Sequence, residues 1–195
     1  LVTFLLLPLY TNQFTPEQYG IVALFYTFVP LLNIVVRYGM GAAFLKNYVP
    51  ANKEDRMSIM TNVIVSLVLT GIPFLLLFYF FRENLSLVFF GVVKPSYVVM
   101  MGIIIFLDTI WSIPMLALRA ENRPRLFIFF SFLNVGVTLL CNLVFIIIFK
   151  MNIGSIFLSN LIASLIIFIL VLPYIYQRFR FSSPVSYTHL TLPTT

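Results

Sequence analysis

The stretch SYVVMMGIIIFLDTIWSIPMLAL (96–118), RAENRPR (119–125), LFIFFSFLNVGVTLLCNLVFIIIF (126–149) consists of two apolar runs joined by a short turn with three arginines. An α-helix rises 1.5 Å per residue, and about 20 apolar residues cross the hydrocarbon core of a bilayer. Each run is therefore long enough to span a membrane as a helix. The turn leaves no room for a domain, so the stretch predicts a transmembrane helical hairpin.

The composition of the whole chain agrees with a membrane protein. Of its 195 residues, 61% are hydrophobic and only 9% are charged, whereas a soluble domain carries about 25% charged residues. The net charge of +6 does not indicate nucleic-acid binding, because the basic residues stand singly or in short groups between apolar runs and form no basic face. Orientation in the membrane is the better explanation for these charges.

Three further runs are long enough to span, at 20–43, 58–81 and 153–176, and a shorter one occupies 1–9. We interpret 1–9 as the second half of a truncated helix, because it is too short to cross on its own. The sequence thus predicts an all-α integral membrane fold with six transmembrane segments over residues 1–180.

Lysine and arginine predict the orientation of these segments. The connections after the even-numbered segments hold eight basic residues: Lys46, Lys53, Arg56, Arg119, Arg123, Arg125, Arg178 and Arg180. The opposite connections hold three: Arg82, Lys94 and Lys150. Cytoplasmic loops are enriched in Lys and Arg, so we expect the N-terminal side and the even-numbered helix ends to face the cytoplasm.

Polar residues recur at helical spacing inside the spans. The predicted fifth helix carries Asn134, Thr138 and Asn142 on one face, and the third carries Asn62 and Ser66. The second helix carries Asn33 and Arg37, and the fourth carries Asp108. Arg37 and Asp108 are the charged residues of the predicted spans, and with Asn33 they complete the set of cavity candidates.

Two interpretations of these polar stripes are open. Small polar residues can join helices by close packing and hydrogen bonds, or the stripes can line a shared water-filled substrate cavity. Because five helices are striped and the spans hold one cation and one acid, we favour the cavity. Asp108 is either a proton or cation site or the structural partner of an arginine, and Arg37 can also extend toward the cytoplasmic surface.

Proline and glycine mark candidate gating or hinge positions within the spans: Pro30, Gly39, Gly41, Pro73 and Pro114. Proline frees a backbone carbonyl and permits a kink. Transporters use such bends to open and close, although membrane helices also tolerate them for packing alone.

Motifs for catalysis, metals and cofactors are missing from the sequence. It holds no HExxH, CxxC, GxxxxGK[ST] or GxSxG, and the glycines of GMGAAF (39–44) follow no Rossmann strand. We therefore expect no catalytic residue, no metal and no cofactor, and a protein that is not an enzyme. Without an ATP site, transport would be driven by an ion gradient or by the gradient of the substrate.

Three stretches resemble a known family: LLLPLYTNQFTPEQYGIVAL (5–24), RYGMGAAFLKNY (37–48) and, most specifically, LDTIWSIPMLALRAENRPRLFIFFSFLN (107–134). They are similar to the polysaccharide transporters, the oligosaccharide-flippase branch of the multidrug/oligosaccharidyl-lipid/polysaccharide exporter superfamily. The resemblance covers about residues 1–180, and the order of the stretches agrees with the predicted topology.

The resemblance implies a fold of 12–14 helices in two pseudo-symmetric lobes, of which this chain would hold most of the N-terminal six-helix lobe and lack the C-terminal lobe. It implies that a lipid-linked oligosaccharide crosses the membrane by alternating access, for cell-surface polysaccharide such as the O-antigen of lipopolysaccharide. Arg37 matches the cavity cations that neutralise the substrate's pyrophosphate in related flippases.

Two alternatives to a flippase are open. A cation-coupled multidrug exporter of the same superfamily would use Asp108 as its ion site. A protein of another class, a membrane glycosyltransferase or polymerase of the same pathway, would need a large catalytic loop outside this stretch. The sugar, the lipid carrier and a coupling cation or proton cannot be read from the sequence.

The last eleven residues, VSYTHLTLPTT (185–195), have no counterpart in the rest of the chain. Translated from its third base, the reverse complement of a common transposase sequencing adapter gives residues 185–194 without a mismatch. We therefore expect 185–195 to be a translated artefact, which removes His189 from any mechanism. Residues 181–184 would then begin a cytoplasmic loop.

Overall fold

The computed structural model describes residues 2–178, and within them the chain forms eight α-helices and no strand. The predicted loop start at 181–184, the predicted artefact at 185–195 with His189, and Arg180 lie outside the described residues. The helices are, in chain order, α1 (Val2–Gln13), α2 (Pro16–Arg37), α3 (Met40–Tyr48), α4 (Lys53–Phe80), α5 (Arg82–Phe90), α6 (Pro95–Ala120), α7 (Pro124–Leu143) and α8 (Gly154–Tyr176).

Five helices of the described chain are long and apolar enough to cross a membrane: α2, α4, α6, α7 with the turn that follows it, and α8. This confirms the predicted all-α integral membrane fold. Two helices, α2 and α4, begin at side-chain caps. Thr15 and Gln18 form a reciprocal capping box before α2, and the Asn52 side chain accepts a hydrogen bond from the Asp55 amide at the start of α4.

The second predicted span, 20–43, differs most from the structure. Helix α2 ends at Arg37, because Tyr38 and Gly39 both adopt left-handed backbone conformations, with φ of 33° and 81°. The Tyr38 amide donates to the carbonyls of Ile34 and Val35, which closes the last turn. The chain then re-enters a helix at Met40, so α3 is separate.

Other boundaries shift for local reasons. The span predicted at 58–81 begins five residues earlier, at Lys53, because Asn52 caps it, and the segment predicted at 1–9 continues to Gln13. The run 126–149 is α-helical to Leu143 and ends in a π-helical turn, Val144–Ile148. Helices α3 and α5 are nine residues each, which is too short to cross a membrane.

Helix α6 is the centre of the bundle. It packs against α2, α3, α4, α5, α7 and α8. Of the residues in its most apolar stretch 67% are buried, against 17% in α2 and 17% in the span that α7 forms with the π-helical turn. Two residues shape the basic turn between α6 and α7. Asn122 takes a positive φ of 54°, which asparagine tolerates, and Pro124 starts α7.

Candidate functional site

Asp108, in the middle of α6, joins α6 to α8. Its carboxylate Oδ1 accepts hydrogen bonds from the Ser164 hydroxyl of α8 at 2.6 Å and from the Trp111 indole at 2.9 Å. Trp111 lies one turn further along α6, and both donors are neutral. The carboxylate is thus held by two uncharged groups inside the bundle.

Arg37, at the end of α2, contacts the main chain of Asp108 rather than its carboxylate. Its Nη2 donates to the Asp108 carbonyl at 3.1 Å and lies 3.5 Å from Asn33 Oδ1, and its Nε is buried without a partner. The Thr109 hydroxyl also lies 3.5 Å from Asn33 Oδ1. Three sequence candidates, Asn33, Arg37 and Asp108, are therefore brought together between α2 and α6.

Beside this group a cleft of about 310 Å³ opens between α2, α6 and α7. Its lining mixes cations, hydroxyls and aromatic rings: Arg37, Trp111, Ser112, Met115, Leu116, Arg119, Phe127 and Ser131. The Arg119 guanidinium lies over the Phe127 ring at 3.9 Å from the centroid, a cation–π contact. Two cations and two hydroxyls in the lining suit an anionic, hydroxylated ligand.

The polar candidates of α7 belong to a second, separate group. Asn142 is fully buried, accepts from the Tyr10 hydroxyl of α1 at 3.1 Å and donates to the Thr138 carbonyl at 2.8 Å. The Thr138 hydroxyl donates in turn to the Asn134 carbonyl.

This second group extends to α2 and α8. The Tyr26 hydroxyl lies 3.5 Å from that of Tyr10 and accepts from Asn160 at 3.2 Å. These contacts join four helices, as expected for polar groups that hold membrane helices together.

The two candidates of α4 join neither group. Asn62 is exposed, and the Ser66 hydroxyl lies 2.8 Å from the Tyr38 hydroxyl at the break after α2. Thr70, one turn on, is also exposed and donates to the Ser66 carbonyl. The eight cavity candidates are thus divided between the Arg37–Asp108 group, the α7 group and the open face of α4.

The hinge candidates occupy three kinds of position. Pro30, Pro73 and Pro114 lie inside continuous helices, the first two exposed and Pro114 buried. Gly39 forms the left-handed break before α3, where a side chain would be strained. Gly41 permits a close approach, since a Cβ there would lie 3.2 Å from Leu116 Cδ1 of α6.

Basic connections gather at one end of the bundle. The Glu121 carboxylate, in the turn after α6, accepts from the Tyr48 hydroxyl of α3 at 2.7 Å and from Arg178 after α8 at 2.9 Å. Burial and the bond to Glu121 raise the pKa of Tyr48 well above its ordinary value, so the hydroxyl stays a donor. The three connections that the sequence assigns to one membrane side are therefore neighbours.

Four members of these groups were not predicted from the sequence: Trp111, Tyr10, Tyr26 and Tyr38. The available signal was a tyrosine hydroxyl or an indole N–H inside an apolar run, since such groups find a partner when buried. Within residues 2–178, no group of three His, Cys, Asp or Glu side chains could hold a metal ion.

Fold and site together define a class, a multi-pass all-α membrane protein with charged side chains inside its spans. Residues 1–193 match the model of a family described as polysaccharide biosynthesis protein. The chain belongs to this family, which confirms the resemblance found in the three sequence stretches. No curated protein and no solved structure matches the chain.

Proposed function

We propose that the protein moves a lipid-linked oligosaccharide across the bacterial cytoplasmic membrane, as a transporter by alternating access and not as an enzyme. The product would serve cell-surface polysaccharide, such as the O-antigen of lipopolysaccharide. Membership of a polysaccharide biosynthesis family and the apolar spans support this proposal.

The observation that carries the proposal is the cleft between α2, α6 and α7 with Arg37 and Arg119 on its wall. A lipid-linked oligosaccharide combines an anionic phosphate group with many hydroxyls. A cation attracts a phosphate more strongly in a low-dielectric interior than in water. The hydroxyls of Ser112 and Ser131 in the same cleft donate to carbonyls of their own helices, and their oxygens can accept hydrogen bonds from sugar hydroxyls.

A flipping cycle also needs a second surface and a place to bend. We propose that a C-terminal lobe of the full-length protein faces the exposed Asn62 and Thr70 of α4, and that the substrate cavity lies between the two lobes. The left-handed pair Tyr38–Gly39 separates α2, which ends in Arg37, from α3, and we propose it as a hinge that moves Arg37 relative to α6.

One observation favours a second candidate, the cation-coupled exporter. The Asp108 carboxylate is bound by neutral donors, and Arg37 reaches only its main-chain carbonyl. A carboxylate without an ion-pair partner could take up a proton or a cation during transport.

The test uses the full-length gene in a bacterium without a paralogue. Deletion should abolish surface polysaccharide, accumulate the lipid-linked unit on the cytoplasmic side and leave drug susceptibility unchanged. Complementation with Arg37→Gln should restore less than a tenth of the wild-type polysaccharide. Arg82→Gln should restore it fully, because Arg82 contacts Tyr79 at the opposite end of the bundle.

Three outcomes would contradict the proposal. Unchanged polysaccharide in the deletion strain would refute it, drug hypersensitivity alone would favour the exporter, and loss of the lipid-linked unit itself would favour a glycosyltransferase. Equal amounts of both variants in the membrane are the control for folding.

A further inference from the structure

A second cleft, of about 350 Å³, lies at the basic end of the bundle. It is formed where α3 ends, α4 begins, α6 turns into α7 and α8 ends. Four of its lining residues are cationic and one is acidic: Tyr48, Lys53, Arg56, Met57, Glu121, Arg123 and Arg178. We call it the end cleft. It shares no residue with the cleft that contains Arg37.

The one acid of the end cleft is already engaged. Glu121 accepts from the Tyr48 hydroxyl at 2.7 Å, from Arg178 Nη2 at 2.9 Å and from the Tyr174 hydroxyl at 3.3 Å. Its side chain is only 13% exposed. The carboxylate pairs closely with Arg178 and, at 3.7 Å, with Arg123. One acid against the four cations that line the cleft leaves it with a net positive charge.

The four cations of the end cleft keep free donor groups. Lys53 is exposed, and the Arg123 side chain is 55% exposed with its Nε 3.7 Å from Glu121. Arg56 is anchored by bonds from Nε and Nη2 to the carbonyls of Tyr48 and Val49. Arg178 Nη1 is buried without a hydrogen-bond partner, and an unsatisfied buried donor is costly. The end cleft thus combines positive charge with unused N–H donors, as an oxyanion requires.

The position of the end cleft favours a lipid as the source of that oxyanion. The spanning helices α6 and α8 end at Ala120 and Tyr176, next to the residues that line it. Since helix ends lie near the bilayer surface, the cleft lies at the level of lipid headgroups. Basic pockets between membrane helices are typical sites for acidic headgroups.

We propose that the end cleft binds the phosphate of an anionic phospholipid headgroup, with Lys53 and Arg123 as its accessible cations and Arg178 as its buried donor. The bound lipid would tie the turn after α6 to the start of α4 and the end of α8. This binding is independent of the proposed transport activity, since it uses other residues and needs no oligosaccharide.

The test measures the thermal unfolding of the full-length protein in detergent micelles with added lipid. Phosphatidylglycerol should raise the unfolding temperature, whereas zwitterionic phosphatidylcholine should not. In the double variant Lys53→Gln/Arg123→Gln, the phosphatidylglycerol concentration for half the maximal rise should increase about 30-fold, because each of the two basic residues at an acidic surface contributes about 1 kcal/mol and every 1.4 kcal/mol is about tenfold.

The matched control is Lys94→Gln/Lys150→Gln, which removes the same charge at the opposite end and should behave as wild type. An equal rise in all three proteins would overturn the proposal, because it would make the lipid effect general. A rise produced by inorganic pyrophosphate in phosphatidylcholine, without one from phosphatidylglycerol, would also overturn it, by assigning the cleft to a soluble phosphate.

Discussion

At the scale of single residues, Arg37 and Asp108, the two charges inside the predicted spans, are held by unlike partners. The Asp108 carboxylate is bound by Trp111 and Ser164, and Arg37 is bound by a main-chain carbonyl of α6. Neither charge therefore depends on the other for its hydrogen bonds. The arrangement leaves the Arg37 side chain beside the open cleft and keeps Asp108 as a connection between α6 and α8.

Asp108→Ala should lower the free energy of unfolding by about 1 kcal/mol, because it leaves the Trp111 and Ser164 donors without their acceptor inside the bundle. Asp108→Asn should be close to wild type, since an amide oxygen can accept both bonds. Chemical unfolding of the purified full-length protein measures the difference. Equal stability of the Ala and Asn variants would show that the two hydrogen bonds do not contribute.

At the scale of helices, α4 and α6 approach closely at glycines. A Cβ on Gly102 of α6 would lie 3.1 Å from the Cβ of Phe78 on α4, and one on Gly71 would lie 2.8 Å from the Phe106 ring. Small residues let membrane helices pack tightly. The pair α4–α6 thus forms a packed support next to the Arg37–Asp108 group.

Gly102→Val should destabilise the protein by about 1–3 kcal/mol, because the added methyl groups overlap Phe78 close to the backbone of α4, which must shift. Gly136→Val is the control in a similar helical setting, since nothing lies within 4 Å of a Cβ at Gly136. Unfolding temperatures of the two purified variants compare them directly. A Gly102→Val protein as stable as the Gly136→Val protein would contradict the close approach.

At the scale of the whole molecule, the connections are sorted between the two ends of the bundle. Glu121, Tyr48 and Arg178 meet at the basic end. At the other end, Gln13 at the end of α1 and Gln18 in the first turn of α2 share a cleft with Lys150. The structure thus agrees with the grouping of loops that the basic residues predict, and the side that faces the cytoplasm stays a prediction.

Labelling of single cysteines tests that orientation. Since the chain holds one cysteine, Cys141, a Cys141→Ser background allows one new thiol at a time. We expect Arg123→Cys to react with a membrane-impermeant maleimide only after permeabilisation, and Lys94→Cys to react in intact cells. The reverse pattern would invert the topology, and reaction of both in intact cells would contradict the hairpin of α6 and α7.

The sequence by itself determined the all-α membrane class and the five spans, because apolar length is a local property of a chain. The family followed from the resemblance of three stretches, 5–24, 37–48 and 107–134, and not from these patterns. It also placed Asn33 and Arg37 one helical turn apart on one helix and Asp108 on another, and the structure has them on α2 and α6. It could not predict the break at Tyr38, because a tyrosine in the left-handed region is rare. A periodic pattern favours a continuous helix there.

Tertiary structure alone decided which polar residues meet. The stripe on α7 is regular in sequence, yet Thr138 and Asn142 bond within α7 and to Tyr10, while Asn62 on α4 is exposed. Helical period fixes the face on which a residue lies, but only the packing of α6 among its neighbours determines which helix that face meets. Partner choice between helices is a non-local property, and it sets both the Arg37 cleft and the end cleft.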